Sequence, residues 1–184
     1  GLETIILSID GNTEEIHDFI RGVKGSLKKN LEVVKIIREV KERLKSGITV
    51  QGTIVANSKN VRNLYDTVKM CKENGFDKIV IQPVHFVEWH FNSEDFMHMK
   101  KDDIPILEEQ MNKIWKDFRD FLSVQKGYFD EFKAFFENPE SLKKYRMSSA
   151  IIIADIRSNG DVVPDPVGRL RLGRTLFLSP GMTS

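Results

Sequence analysis

Three short apolar runs, Thr4 to Ile9, Ile48 to Ala56 and Lys78 to Gln82, alternate with two helical patterns, Leu27 to Lys45 and Val61 to Asn74. That order leaves few folds open. Parallel neighbours can be joined only by long crossovers, so strand, helix, strand, helix, strand at this spacing predicts a parallel sheet with helices laid over it. Glycines stand where each helix should stop, Gly47 after the first and Gly75 after the second. In the first helix Val33, Ile37, Val40 and Leu44 recur at helical spacing and are expected to form its apolar face. Asn57, Ser58, Lys59 and Asn60 supply a loop and a cap for the second.

The first strand closes on Ser8, Ile9, Asp10 and Gly11, which places a hydroxyl and a carboxylate at its carboxyl end. In α/β sheets and barrels that end is where ligands bind, so Ser8 and Asp10 are candidate site residues. The competing reading is a plain Asp-Gly turn with Ser8 a tolerated polar residue. The segment from Asp10 to the first helix reads as a polar loop.

Residues 84–101 follow no period and hold His85, Glu88, Trp89, His90, Asp95 and His98, as in a functional loop or lid. Their spacings match no standard metal site, so they read as solvated loop residues and no metal is expected. His85 and Trp89, just past the third strand, are candidates to face a substrate. A long helix is expected from Asp102 or Asp103 to about Gln125, with Pro105 in its first turn. Helical stretches from Tyr128 and near Pro139 should follow. The aromatic spacing of Trp115, Phe118, Phe121, Phe129, Phe132, Phe135 and Phe136 suits packing between helices. Ala150 to Arg157 and Val162-Val163 flank Ser158-Asn159-Gly160-Asp161, a strong hairpin signal.

The chain of 184 residues balances 28 basic against 27 acidic side chains, which argues against a nucleic-acid or membrane-surface protein. No apolar run reaches the length of a membrane span and no leader stands at the start, so a cytoplasmic protein is expected. The single cysteine, Cys71, allows neither an intrachain disulfide nor a cysteine-built cluster from this chain alone, and its helical setting marks it as a core residue.

The words Leu7-Ser8-Ile9-Asp10-Gly11 and His17-Asp18-Phe19-Ile20-Arg21-Gly22 resemble the fourth strand and following loop of radical S-adenosylmethionine enzymes. Gln51 to Asn57 resembles the fifth barrel strand of that family, and Lys78 to Pro83 the sixth. The resemblance implies an α/β fold: a partial (β/α) TIM-like barrel over 1–102, followed over 103–184 by a helical segment and a C-terminal β-hairpin. It implies S-adenosylmethionine as cofactor, with Ser8 and Asp10 at its ribose or amino-acid part, Asn57 facing it and Gln82 bordering the adenine. Arg21 would reach the cofactor carboxylate, which suits a guanidinium fork. The family's chemistry is reductive cleavage of that cofactor by a 4Fe-4S iron–sulfur cluster, giving a deoxyadenosyl radical that abstracts hydrogen from a small-molecule or peptide substrate.

The family's CxxxCxxC cluster loop follows the first barrel strand and is absent from this sequence. The chain is therefore expected to be the carboxyl-terminal portion of a longer protein and inactive by itself. An interior strand needs neighbours on both sides, so the first strand's free edge predicts a missing segment or self-association through that edge. Ser158 to Pro166 resembles the turn that opens the family's SPASM/twitch-like extension, but Asp165 stands where that turn has cysteine, so thiolate ligation of an auxiliary cluster is not expected. Two readings from other classes remain: a non-catalytic α/β binding module, and another barrel-type lyase or hydrolase using Asp10 and His85 as acid and base.

Overall fold

The computed structural model describes residues 3–83, 97, 99–124, 126–128, 154–156 and 162–164. The chain divides into two units, Gly1–Asn138 and Pro139–Ser184. The first is a mixed α/β unit in which β1 (Thr4–Ser8), α1 (Glu14–Arg21), α2 (Ser26–Leu44), β2 (Thr49–Ala56), α3 (Leu64–Glu73), β3 (Lys78–Pro83) and α4 (Asp103–Phe118) follow one another. The strands form a three-stranded sheet in the order β1-β2-β3, with both pairs parallel. Register sets Ser8 beside Thr53 and Thr53 beside Val80, while Val55 lies beside Gln82.

Alternation along the strands separates two faces. Val50, Ile54, Ile79 and Ile81 are fully buried and join Val34, Leu64, Val68 and Ile114 in the core. Each contributes roughly 1.5–3 kcal/mol through the apolar surface it removes from water. Gln51, Thr53 and Val55 on the other face are half-buried, and Gln82 is exposed. A parallel sheet covered on both faces would instead read as continuous apolar runs.

The structure corrects four expectations. The segment after Gly11 is not all loop: Thr13 caps α1 through its hydroxyl, Glu14 and Glu15 occupy the first turn, and Gly22 closes the helix at φ 66°. In α2 the core face is Leu27 and Val34, with Leu31 and Ile37 partly buried against it, whereas Val33, Ile36, Val40 and Leu44 point outward. The helix carries two apolar stripes, and periodicity alone does not say which one meets the sheet. Its left-handed cap is Lys45, at φ 50°, not Gly47. The long helix stops at Phe118, because a short 3₁₀ turn, Arg119–Phe121, returns the chain to the sheet. Leu122 there makes a parallel bridge to Ile79, and the Ser123 amide donates to the Ile79 carbonyl at 2.8 Å. β3 thus gains a second backbone neighbour besides β2.

In the second unit β4 (Ala154–Ile156) pairs antiparallel with β5 (Val162–Pro164). The Asn159-Gly160 turn, the helical stretch near Pro139 and Asp165 lie outside the described residues.

Candidate functional site

Asp10 is the centre of the best-connected polar cluster among the described residues, at the carboxyl end of β1. It is 1% exposed. One carboxylate oxygen accepts the Val55 amide of β2 at 2.8 Å, and the other meets Arg21 Nε, at the end of α1, at 2.6 Å. With both oxygens accepting, the arrangement is that of an ionised carboxylate. Burial pushes its pKa up, against the opposing pull of the Val55 amide, Arg21 and His17.

Gly11 is required here by a close approach. A β-carbon on it would lie 2.7 Å from Ile16 Cγ2 and 2.8 Å from the His17 backbone nitrogen, so the first turn of α1 packs directly on this turn. That packing delivers His17, fully buried, whose Nδ1 accepts the Asp10 amide at 3.0 Å. A backbone amide can only donate, so Nδ1 holds the lone pair and the proton sits on Nε2. Burial lowers the His17 pKa, against the pull of the Asp10 carboxylate, and favours the same neutral form. Nε2 has no hydrogen-bond partner among the described residues.

Two asparagines lock the strand ends together. Asn60 accepts the Asn57 amide through Oδ1 at 2.9 Å, and its Nδ2 donates to the carbonyls of Asp10 at 3.0 Å and Val55 at 2.9 Å. Asn57 turns its own side chain inward, donating to the Val55 carbonyl and accepting the Lys59 amide. Downstream, the Asp18 carboxylate accepts from the Gly25 and Leu27 amides and the Ser26 hydroxyl, capping the start of α2. Its pKa is lowered chiefly by the Leu27 amide. Asn30 of α2 donates to the Ser8 carbonyl at 3.0 Å.

The sequence candidates thus separate. Asp10 and Arg21 are paired, Asn57 lies in the same buried cluster, and Ser8 ends the strand that leads into it. Gln82 sits on β3 beside Val55, exposed on the open face. His85 and Trp89 lie outside the described residues, as do Glu88, His90, Asp95 and His98. Sequence pattern does not mark His17, Asp18 or Asn30 as site residues and marks Asn60 only as a cap, although His17 and Asp18 stand inside the His-Asp…Arg-Gly word.

Arg21 retains chemical capacity. Its two Nη groups have no partner among the described residues, and its side chain is 34% exposed, so the fork can meet an anion while Nε stays on Asp10. Cys71 is the opposite case: buried in α3, its thiol is pushed up to about 12 and does not supply a thiolate near neutral pH. Among the described residues no group of three or more His, Cys, Asp or Glu is placed to hold a metal ion, and no helix is long and apolar enough to cross a membrane.

No family model matches this sequence, and no curated protein matches it.

Proposed function

We propose that this chain forms part of the S-adenosylmethionine and substrate wall of a radical S-adenosylmethionine oxidoreductase-like protein, within a partial (β/α) barrel. The observation that carries the reading is the Asp10–Arg21 pair: a guanidinium held at a strand's carboxyl end by a buried carboxylate, with two donor groups unpartnered among the described residues. An anchored fork of this kind suits the cofactor's carboxylate. Ser8 and Thr53, side by side on adjacent strands, and the exposed Gln82 add hydroxyl and amide groups at the same end of the sheet, suited to a ribose or a base edge.

In this reading the cofactor supplies the radical chemistry, and the chain's residues bind it, orient it and exclude water. The fit does not extend to the 4Fe-4S cluster: one buried cysteine cannot replace three thiolate ligands, so no step is derived through a cluster. The substrate, a small molecule or a peptide, would meet the open sheet face. The second unit is read as the start of an extension built on a β4–β5 hairpin.

A non-catalytic binding module is the second reading, favoured by the same lone cysteine. Asp10 makes a poor acid or base for a lyase or hydrolase, because both of its oxygens are already engaged.

We propose self-association through the sheet edge that β1 forms and, separately, through α2. Val33, Ile36, Val40 and Leu44 form an outward apolar stripe on α2, with Leu44 65% exposed.

Calorimetric titration with S-adenosylmethionine tests the cofactor reading. The wild-type chain should bind weakly, and Ser8→Ala and Arg21→Ala should each reduce that binding. Absence of binding by the wild type, or equal binding by all three, would refute it.

A further inference from the structure

His17 is not explained by the cofactor reading. It is fully buried, and it spends one ring nitrogen on a backbone amide while the other has no hydrogen-bond partner among the described residues. A leucine or phenylalanine would fill the same space without stranding a buried donor, which costs about 1–3 kcal/mol. What the imidazole offers that an apolar side chain does not is an acceptor for the Asp10 amide. That bond fixes the backbone of the residue whose carboxylate holds Arg21.

We propose that His17 is the positioning residue of this site: its neutral imidazole holds the Asp10 amide, and through Asp10 the Arg21 guanidinium, so that protonation of His17 disassembles the anion-binding fork. Protonation places a hydrogen on Nδ1, and two donors then face each other where one hydrogen bond stood. The new imidazolium also competes with Arg21 for the Asp10 carboxylate. The charged groups acting on the ring are Asp10 after β1 and Arg21 and Asp18 of α1 itself, while β2 and the residue after it bring uncharged Val55 and Asn57 to this level. Burial favours the neutral ring, so the fork is assembled at neutral pH and opens in acid.

Two independent measurements test this. In the first, imidazole and amide nitrogen shifts of the labelled full chain are followed from about pH 7.5 to 4.5 across the histidine range. His17 should be the Nε2–H tautomer, and the Asp10 amide should shift together with its protonation. An Nδ1–H tautomer, or an Asp10 amide indifferent to His17, would overturn the proposal whether or not any ligand binds.

The second measurement rests on the cofactor reading and uses S-adenosylmethionine as probe. Binding by the wild type should weaken about tenfold on acidification, the equivalent of one lost hydrogen bond. His17→Asn, whose Oδ1 can stand in for Nδ1 but does not titrate, should bind at neutral pH within about twofold of wild type and lose the acid dependence. An acid loss that persists unchanged in His17→Asn would overturn it. Failure of the wild type to bind at any pH would refute the cofactor reading, and the tautomer measurement would still decide the role of His17.

Discussion

Arg21 Nε lies 2.6 Å from Asp10 Oδ2, joining the last residue of α1 to the carboxyl end of β1. The carboxylate is buried and the guanidinium about one-third exposed, so the two ends of the pair are unequal. Removing the cation leaves a buried anion with one amide for company. Arg21→Ala should cost about 1–2 kcal/mol, less than the full penalty of a buried pair because solvent reaches the arginine. Arg21→Lys should recover part of that stability, but not anion binding, since the fork is lost. Urea unfolding of the three proteins measures the first effect.

Gly11→Ala should destabilise the chain by about 1–3 kcal/mol, the usual range for overpacking. The added methyl would press on the His17 backbone nitrogen and on Ile16, and only the second is a side chain free to yield. Thermal unfolding checks the loss, and the His17 imidazole shifts should report movement of α1. A neutral outcome would mean that the turn and α1 are not in contact.

Asn60→Ala should cost about 3 kcal/mol, because it strands the Asn57 amide and removes a donor from two carbonyls at once. Asn60→Asp retains the acceptor for Asn57 but loses both donor bonds and sets a buried carboxylate against the two carbonyl oxygens, so its cost should be no smaller. Chemical denaturation of the pair distinguishes this lock from a dispensable loop side chain.

Stability should depend on pH in two separable windows. His17 has a depressed folded pKa, so its contribution is complete above the unfolded value of about 6.5 and is lost as the pH falls toward the folded value. Asp18 is also depressed, and its contribution is lost only below about pH 3.9 as the pH falls through its folded pKa. Asp10 runs the other way, since a raised folded pKa favours the folded state in acid and that gain fades as the pH rises. Between about pH 4.5 and 6.5 the wild type should therefore gain more stability with rising pH than His17→Asn does. Parallel slopes in denaturation midpoints would contradict the His17 assignment.

Much of the sheet was legible because its signals are local. The three apolar runs, the Gly75 stop and the Pro105 first turn each carry their own chemistry, and β1, β2 and β3 begin and end within a residue of the apolar runs. What was not legible depended on long-range choices. α1 is short, so its cap and flanking glycine carried little weight against a polar composition. The choice between the two stripes of α2 depends on which one the sheet covers. Within the site, Asp10 and Asn57 could be placed from strand ends alone. Asn60 and His17 could not, because their importance comes from bonds that span the turn and the neighbouring strand. Asn60 was legible only as a helix cap, yet its side chain bonds none of the helix amides and serves the strand ends instead.

The outward stripe on α2 should make the chain self-associate with rising concentration. Light scattering should show this for the wild type, and Ile36→Glu with Val40→Glu should abolish it without loss of stability, since both positions are exposed. A wild type that stays monomeric at high concentration would refute association through this face.

The polar ends of β1 and β2 are proposed to form one side of a cofactor site. The most direct measurement is an amide shift map of the labelled chain as S-adenosylmethionine is added. Shifts should concentrate at Ser8 to Gly11, at Arg21 and at Asn57 to Asn60, and be absent in Arg21→Ala. Saturating shifts confined to other segments, or no shifts at all, would contradict it.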